Sequence, residues 1–470
     1  MRTLIKGFVA TSIISAGFLC GLTGDVLKSA ISNPRSGAVI PSIPAARVAR
    51  LLQPASARAA DGAPVNLPPS ETYSSVLEII QSNYYSSGAK APRPSTTKLT
   101  YAAIDGMLAT LNDPFTVYWT PKIYQKQMED TSGNFGGIGA SLDLTKDKRV
   151  LIVKVIEDTP ALRAGMLPGD IISAVNGKSV VGQDLSKVID QIRGKPGTSV
   201  RLTIVRKDKP KPFDLTLNRA IIHSPVVDFR MEDEQNKIGY IKLLMFTEQA
   251  DQDFDAALAQ LEKQGMKSLI FDLRDNPGGL LNVAQDLASR FVAEGPIVWV
   301  KQKSGQMDSL NVRAERHRSP LYKGAYPVIV LVNGGSASAS EIVSGAIQDS
   351  KVGKLLGTTT YGKGLVQTIF PLDSPVDAND SAVKITTQHY YTRDQHDINK
   401  KLDANGKQIS GGIKPDYVVE FTEKDYDAVN EALRKDPQNR ESVVRRLDPQ
   451  LKRARELMLQ GIPAQQSAKR

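Results

Sequence analysis

A chain of 470 residues is longer than one ordinary hydrophobic core organises, so two to four domains are expected. A hydrophobic fraction of 41% argues against a polytopic membrane protein and against a wholly disordered chain. The net charge of +10 is uneven: residues 440–470 hold eight basic and three acidic side chains. That run reads as a solvated helical surface, and nucleic acid is not expected as a partner because no nucleic-acid motif accompanies it.

Residues 1–27 begin with Arg2 and Lys6 and continue in the apolar stretch Gly7–Leu22, which is short for a membrane span and suits a signal peptide or anchor. Export to the periplasm or another extracytoplasmic space is expected, with membrane association through this segment if it is retained. Cys20, the single cysteine, follows Leu19 rather than a small residue, which argues against lipidation. Beyond it the chain offers no thiol nucleophile, zinc-thiolate site or disulfide framework. Residues 28–69 are rich in Pro, Ala and Ser and read as a linker. From 70 to 132 the apolar spacing is helical, for example Val76, Ile79, Ile80 and Ile104, Met107, Leu108, Leu111. Asn112–Asp113–Pro114 ends that pattern.

At 133–208 the spacing becomes that of a small, separate strand-rich domain. Strands are predicted at Val150–Val155, Ile171–Val175 and Ser199–Val205, a helix at Leu185–Ile192, and a tight turn at Asn176–Gly177. From 209 to 422 strands alternate with helices: Ile238–Phe246, Leu269–Leu273 and Val328–Val332 against helices near Phe254–Leu261, Leu280–Phe291 and Ala337–Ile347. Such alternation predicts an α/β unit with a parallel or mixed sheet. Residues 423–470 form a basic helical tail.

Three loops carry chemistry. The buried strand Val328–Val332 runs into Asn333–Gly334–Gly335–Ser336–Ala337–Ser338–Ala339–Ser340–Glu341 at a helix start. A serine there lies beside unpaired N–H groups that can hold an oxyanion, although Ser is also a common helix cap. In Gly362–Lys363–Gly364, followed by Leu365–Val366–Gln367, a lysine between glycines can reach inward while the backbone passes close to substrate. Burial would lower its pKa and let it act as a base toward a serine hydroxyl, with Gln367 orienting the amine. Asp272–Leu273–Arg274–Asp275–Asn276–Pro277–Gly278–Gly279 ends another strand, and N–H groups of Gly278 or Gly279 and Ala339 are candidates for an oxyanion hole. The four histidines, His223, His317, His389 and His396, show neither triad nor zinc spacing.

Together the three loops resemble the motifs of the C-terminal processing peptidases, also called carboxyl-terminal or tail-specific proteases. Ser336–Glu341, Gly362–Gln367 and Asp272–Gly279 stand in the family's order, with 25 residues between Ser338 and Lys363. The resemblance implies Ser338 as nucleophile, Lys363 as general base and Gln367 as the residue positioning the lysine. It implies a mixed-sheet, crotonase-like α/β core with an inserted PDZ domain and helical N- and C-terminal segments. Phe135–Gly136–Gly137–Ile138–Gly139 is similar to the PDZ carboxylate-binding loop, since successive glycine N–H groups can form an anion nest. Substrates are then proteins with exposed apolar C-termini, an activating or adaptor protein is a further expected partner, and no cofactor is required. One departure is the polar insertion after Tyr390–Tyr391–Thr392, ahead of Gly411–Gly412–Ile413. The rival reading is a catalytically silent PDZ scaffold of the cell envelope.

Overall fold

Proline and glycine set the boundaries of the first elements. The computed structural model describes residues 69–85, 93–145, 147–317, 321, 324–372, 380–403, 408–435 and 440–461. The expected signal segment at 1–27 and the linker up to residue 68 lie outside the described residues. The chain divides at Arg93 into two units. The described part of the first holds α1 (Pro69–Asn83), which has no buried side chain. The second unit begins with α2 (Thr96–Ala109), where the Ser95 hydroxyl accepts the Lys98 N–H at 3.2 Å as an N-cap. The Asp113–Pro114 turn then leads into β1 (Val117–Trp119), inside a stretch whose spacing had looked helical. α3 (Pro121–Ser132) starts on proline and ends on the left-handed Gly133 at φ 73°.

Next comes the small domain: β2 (Asn134–Gly137), β3 (Ala140–Leu144), β4 (Val150–Val155), α4 (Pro160–Arg163), β5 (Ile171–Val175), β6 (Lys178–Ser179), α5 (Leu185–Ile192), β7 (Ser199–Val205), β8 (Phe213–Asn218) and β9 (Ala220–His223). Its sheet runs β3-β4-β5-β7-β8, with β6 hairpinned onto β5 through Asn176 and Gly177, both at positive φ. A core of its own contains Ile152, Met166, Ile172, Val188, Leu202 and Ile204. The sheet continues to Asn218, past the boundary expected at 208. β2 pairs antiparallel with β9, so the chain enters and leaves this domain side by side.

The rest builds the larger core. In order come β10 (Val227–Asp233), β11 (Ile238–Leu243), α6 (Ala250–Lys263), β12 (Ser268–Asp272), α7 (Leu281–Ala288), β13 (Pro296–Lys301), β14 (Met307–Asn311), β15 (Val328–Val332), α8 (Ala339–Asp349), β16 (Lys354–Gly357), β17 (Leu365–Leu372), β18 (Ser381–Tyr391), β19 (Lys401–Leu402), β20 (Gln408–Ser410), β21 (Tyr417–Val418), α9 (Glu423–Lys435), α10 (Arg440–Leu447) and α11 (Pro449–Gln460). The central sheet is β10-β11-β12-β15-β16-β21, with β10 antiparallel and the others parallel. Strand alternation assigns its two faces. Phe271, Val328, Val330 and Val332 pack with Phe254, Leu287, Phe291 and Val343 of α6, α7 and α8 and the loops beside them. Ile270, Ile329 and Leu331 pack with Leu451, Ala454 and Leu457 of α11.

The basic C-terminal run is therefore only partly a solvated surface: α11 caps the sheet, while Arg445 and Arg455 reach the buried Glu232 at 3.0 and 3.2 Å. A second sheet, β1-β18-β13-β14 with β17 on β18, is antiparallel. Among the described residues no helix is long and apolar enough to cross a membrane.

Candidate active site

The serine turn is built at the end of β15. Of its three serines, two are fully buried and hydrogen-bonded: Ser336 Oγ donates to the Leu273 carbonyl at 2.8 Å and Ser340 Oγ to the Asn276 carbonyl at 2.9 Å. Ser338 is half-buried and accessible. It caps α8 at φ 56°, ψ −115°, a conformation a side-chain-bearing residue adopts only when its surroundings impose it. The Asp272–Gly279 segment lies alongside. Asn276 donates to the Leu243 carbonyl and its own carbonyl accepts the Ala337 N–H, tying this turn to the serine turn. A Cβ on Gly278 would sit 2.8 Å from Ser338 Cβ, and one on Gly279 would sit 2.2 Å from the Phe246 carbonyl oxygen, so the close approach requires glycine at both.

This geometry divides the three oxyanion candidates. The Gly278 N–H donates to Asn276 Oδ1 at 2.9 Å and is already used. Among the described residues the N–H groups of Gly279 and Ala339 meet no protein acceptor. Deeper in, Asp272 is fully buried against Arg274 at 2.6 Å and accepts from Tyr240 Oη at 2.7 Å. Burial alone would raise the Asp272 pKa, but the Arg274 guanidinium holds it below the ordinary carboxylate range. Arg274 also reaches Asp448 at 2.7 Å, so this half of the motif anchors α11.

The lysine loop reaches the serine turn through Glu341, whose side chain is fully buried. Its Oε2 accepts the N–H of Ser338 and the N–H of Lys363, each at 2.9 Å. Its Oε1 accepts the Gly362 N–H at 2.7 Å and the Thr360 hydroxyl at 2.6 Å. Burial pushes the Glu341 pKa up, and these four donors oppose the shift. Gly362 has φ 84°, and a Cβ there would lie 2.8 Å from Gly412 N. A Cβ on Gly364 would lie 2.9 Å from Asn399 Cβ. The polar insertion braces this loop: Asn399 Oδ1 accepts the Gly364 N–H at 3.2 Å, and the Lys400 N–H donates to the Gly362 carbonyl at 2.8 Å.

Lys363 is half-buried, with its Nζ 4.9 Å from the centre of the Phe115 ring. Its pKa is brought down to about 8, first by burial and then by the charge of Lys384, while Glu341 and Asp113 pull the other way. Gln367 on β17 donates to Thr386 Oγ1 on β18 at 3.2 Å. Three of the four histidines are engaged elsewhere: His223 with Asp253, His389 with Asp397, and His317 with the Val292 carbonyl. Sequence reasoning included Glu341 only as the end of a motif and missed Phe115, Asp113 and Lys384, which arrive from elements distant in sequence.

The expected carboxylate loop is split by the pairing of β2. Phe135, Gly136 and Gly137 belong to that strand, opposite Ile222, Ile221 and Ala220, because the domain's entry must pair with its exit. Only Ile138 and Gly139 form the turn into β3, and a Cβ on Gly139, at φ 84°, would strike Thr159 at 2.2 Å. β3 is an edge strand of its sheet, and α5 packs beside it.

Comparison with known proteins agrees with this architecture. A sequence model of peptidase family S41 matches residues 237–419, and a PDZ-domain model matches residues 151–206. A carboxy-terminal-processing protease of Bartonella bacilliformis is 39% identical over 332 residues, which are 70% of this chain and 71% of that protein. A probable CtpA-like serine protease of Staphylococcus haemolyticus is 37% identical over 322 residues, 68% of this chain and 60% of that protein. A solved photosystem II D1 C-terminal processing protease shares 30% identity with a TM-score of 0.41, over 71% of this chain and 84% of that one. The fold and its motifs define a serine-type peptidase core joined to a PDZ domain. The chain belongs to the carboxy-terminal-processing protease family, within peptidase family S41.

Proposed function

We propose that this protein is a serine endopeptidase that cuts proteins near their C-termini with Ser338 as nucleophile and Lys363 as general base. The observation that carries the reading is the Glu341 carboxylate, which accepts the backbone N–H of both residues at 2.9 Å and so fixes the two loops to one point. In the proposed reaction the neutral Lys363 amine takes the proton from Ser338 Oγ as that oxygen attacks the scissile carbonyl. The Gly279 and Ala339 N–H groups receive the developing oxyanion. Lys363 then gives the proton to the leaving amine, and water, deprotonated by the same amine, hydrolyses the acyl-enzyme. Gln367, held by Thr386, orients the amine.

Capture of the substrate tail is assigned to the PDZ domain. The open edge of β3 beside α5 suits an added peptide strand, and the Ile138–Gly139 turn suits its terminal carboxylate. The mixed sheet with helices on both faces supports a crotonase-like description of the core. The basic and apolar start of the chain supports export, with this segment as leader or anchor. An adaptor that activates the enzyme is compatible with an inserted domain. A silent scaffold is disfavoured by the complete set of Ser338, Glu341, Lys363 and Gln367.

The test is cleavage of an unfolded protein bearing an apolar C-terminal tail by the chain lacking residues 1–66, beside Ser338→Ala and Lys363→Ala. The parent is expected to cut, and each variant to lose nearly all activity. Full activity in Lys363→Ala overturns the assignment of the base. A parent that stays inert with every tail and partner tried returns the scaffold reading.

A further inference from the structure

The three loops of the candidate active site leave the central sheet at one edge. The Asp272–Gly279 turn follows β12, the serine turn follows β15 and the lysine loop follows β16, and these strands are parallel neighbours. The first turn of α11 meets the sheet from its other face, and two of its polar side chains, Asp448 and Gln450, are buried there. The Asp448 carboxylate is divided. Its Oδ1 accepts the N–H groups of Gln450 and Leu451, each at 2.9 Å, and so caps α11. Its Oδ2 accepts from Arg274 Nη1 at 2.7 Å. Gln450 is divided too: Oε1 accepts from the same Nη1 at 2.9 Å, and Nε2 donates to the Val419 carbonyl at 2.7 Å. The Val419 N–H donates in turn to the carbonyl of Gly357, which ends β16 just before the lysine loop. A helix cap needs only one of these carboxylate oxygens and none of the Gln450 amide, so the remaining bonds serve the edge of the sheet.

We propose that Asp448 and Gln450 are positioning residues for proteolysis: through Arg274 they hold the Asp272–Gly279 turn where the Gly279 N–H meets the carbonyl attacked by Ser338. This rests on Ser338 being the nucleophile and Gly279 an oxyanion donor. The guanidinium is fixed from both sides, since its Nε and Nη2 donate to Asp272 at 3.0 and 2.6 Å while its Nη1 goes to α11. Charge-assisted bonds of this kind fix direction as well as distance. From Arg274 onward the turn is tied to the serine turn: the Asp275 N–H donates to Asn333 Oδ1 at 2.9 Å, and the Asn276 carbonyl accepts the Ala337 N–H at 3.0 Å. An oxyanion donor is worth most when it is held in place before the charge develops. The C-terminal helix therefore belongs to the catalytic framework as well as covering the sheet.

Asp448→Asn separates the clamp from the cap. Asn caps helices as well as Asp, and Arg274 keeps its partner Asp272, but an amide nitrogen now stands where Oδ2 accepted from Nη1. Two readouts are taken on the full chain. One is kcat and KM on the unfolded tail-bearing protein. The other is the inhibition constant of a short peptide aldehyde, whose carbonyl carbon bonds Ser338 Oγ and leaves its oxygen in the oxyanion hole. In Asp448→Asn kcat is expected to fall roughly ten- to a hundredfold, less than removing a donor outright. The aldehyde constant is expected to rise by the same factor and KM to stay within about twofold, the pattern of an interaction made only in the transition state. Gln450→Met removes both amide bonds at similar size and is expected to show a smaller loss of the same pattern, which keeps the idea testable if Asp448→Asn does not fold. Parent values of kcat and of the aldehyde constant in these variants overturn the proposal. So does a loss that vanishes on cooling in step with the folded fraction, and so does a lower kcat with an unchanged aldehyde constant. If Ser338→Ala is inactive in those cases, only this inference falls. If Ser338→Ala still cuts, the nucleophile assignment falls and this proposal with it.

Discussion

Lys363 is held where a lysine is least comfortable. Its amine is brought down to about 8 chiefly by burial, so at neutral pH about a tenth of the population is neutral and able to accept a proton. The rate should then rise with pH through about 8 and level off above it, measured as kcat/KM against pH. The same shift costs stability, and the sign follows from proton linkage. A lysine with a lowered folded pKa binds fewer protons than the unfolded chain between about 8 and 10.5, so stability rises with pH in that window. Below about 8 both states are protonated and the full cost remains. Lys363→Met should therefore abolish cleavage yet stabilise the fold at pH 7 by on the order of 2 kcal/mol, seen as a higher thermal midpoint. An unchanged or lower midpoint would mean that the amine is better solvated than its surroundings imply.

At the scale of elements, the lysine loop depends on two glycines more than on its own side chains. Gly364 has an ordinary φ, so alanine there is not a backbone problem; its Cβ would meet Asn399 Cβ at 2.9 Å. Gly364→Ala should push the polar insertion away from the loop, lose the 3.2 Å bond from Gly364 N–H to Asn399, and displace the Lys363 backbone from the Glu341 carboxylate that it shares with Ser338. The expected result is a fall in kcat of about a hundredfold with the far-ultraviolet spectrum unchanged, since small misplacements of reacting groups are costly. Activity within a factor of about three of the parent would show that the insertion yields easily.

The glycines, the serine turn and the strand–helix alternation were legible in the sequence because each is a local pattern with a local physical cause. β15 and α8 fall within two residues of where apolar runs and small residues put them. β1 was not legible. It has three residues, sits between two helices, and owes its existence to β18, which lies more than 260 residues further on. Phe115, Asp113 and Lys384 were hidden for the same reason, since no local spacing records a long-range pair. Glycines mark close backbone approach without saying what approaches: Gly137 lies in the β2–β9 strand pair and Gly139 in the turn into β3.

At the scale of the molecule, the small domain interrupts a fold that closes without it. The elements before it, β1 and α3, pack on the second sheet of the part that follows it, where β1 pairs with β18. Where the chain leaves and returns, the Ser224 N–H donates to the Gly133 carbonyl at 3.0 Å, so the two cut ends are already neighbours. The small domain has its own hydrophobic cluster, separate from that of the core. Excising residues 134–223 and joining the ends with two or three glycines should thus leave a folded peptidase core. If the small domain only captures tails, this core will cut a short unstructured peptide at the parent rate but lose its preference for an apolar C-terminus, read as the ratio of kcat/KM for tailed and tail-capped proteins. If the domain also shifts the enzyme toward its active arrangement, the peptide rate itself will change, because a bound domain can bias a population only through contacts that differ between the two states. A preserved tail preference in the excised enzyme would place recognition in the core and end the assignment of capture to β3 and α5.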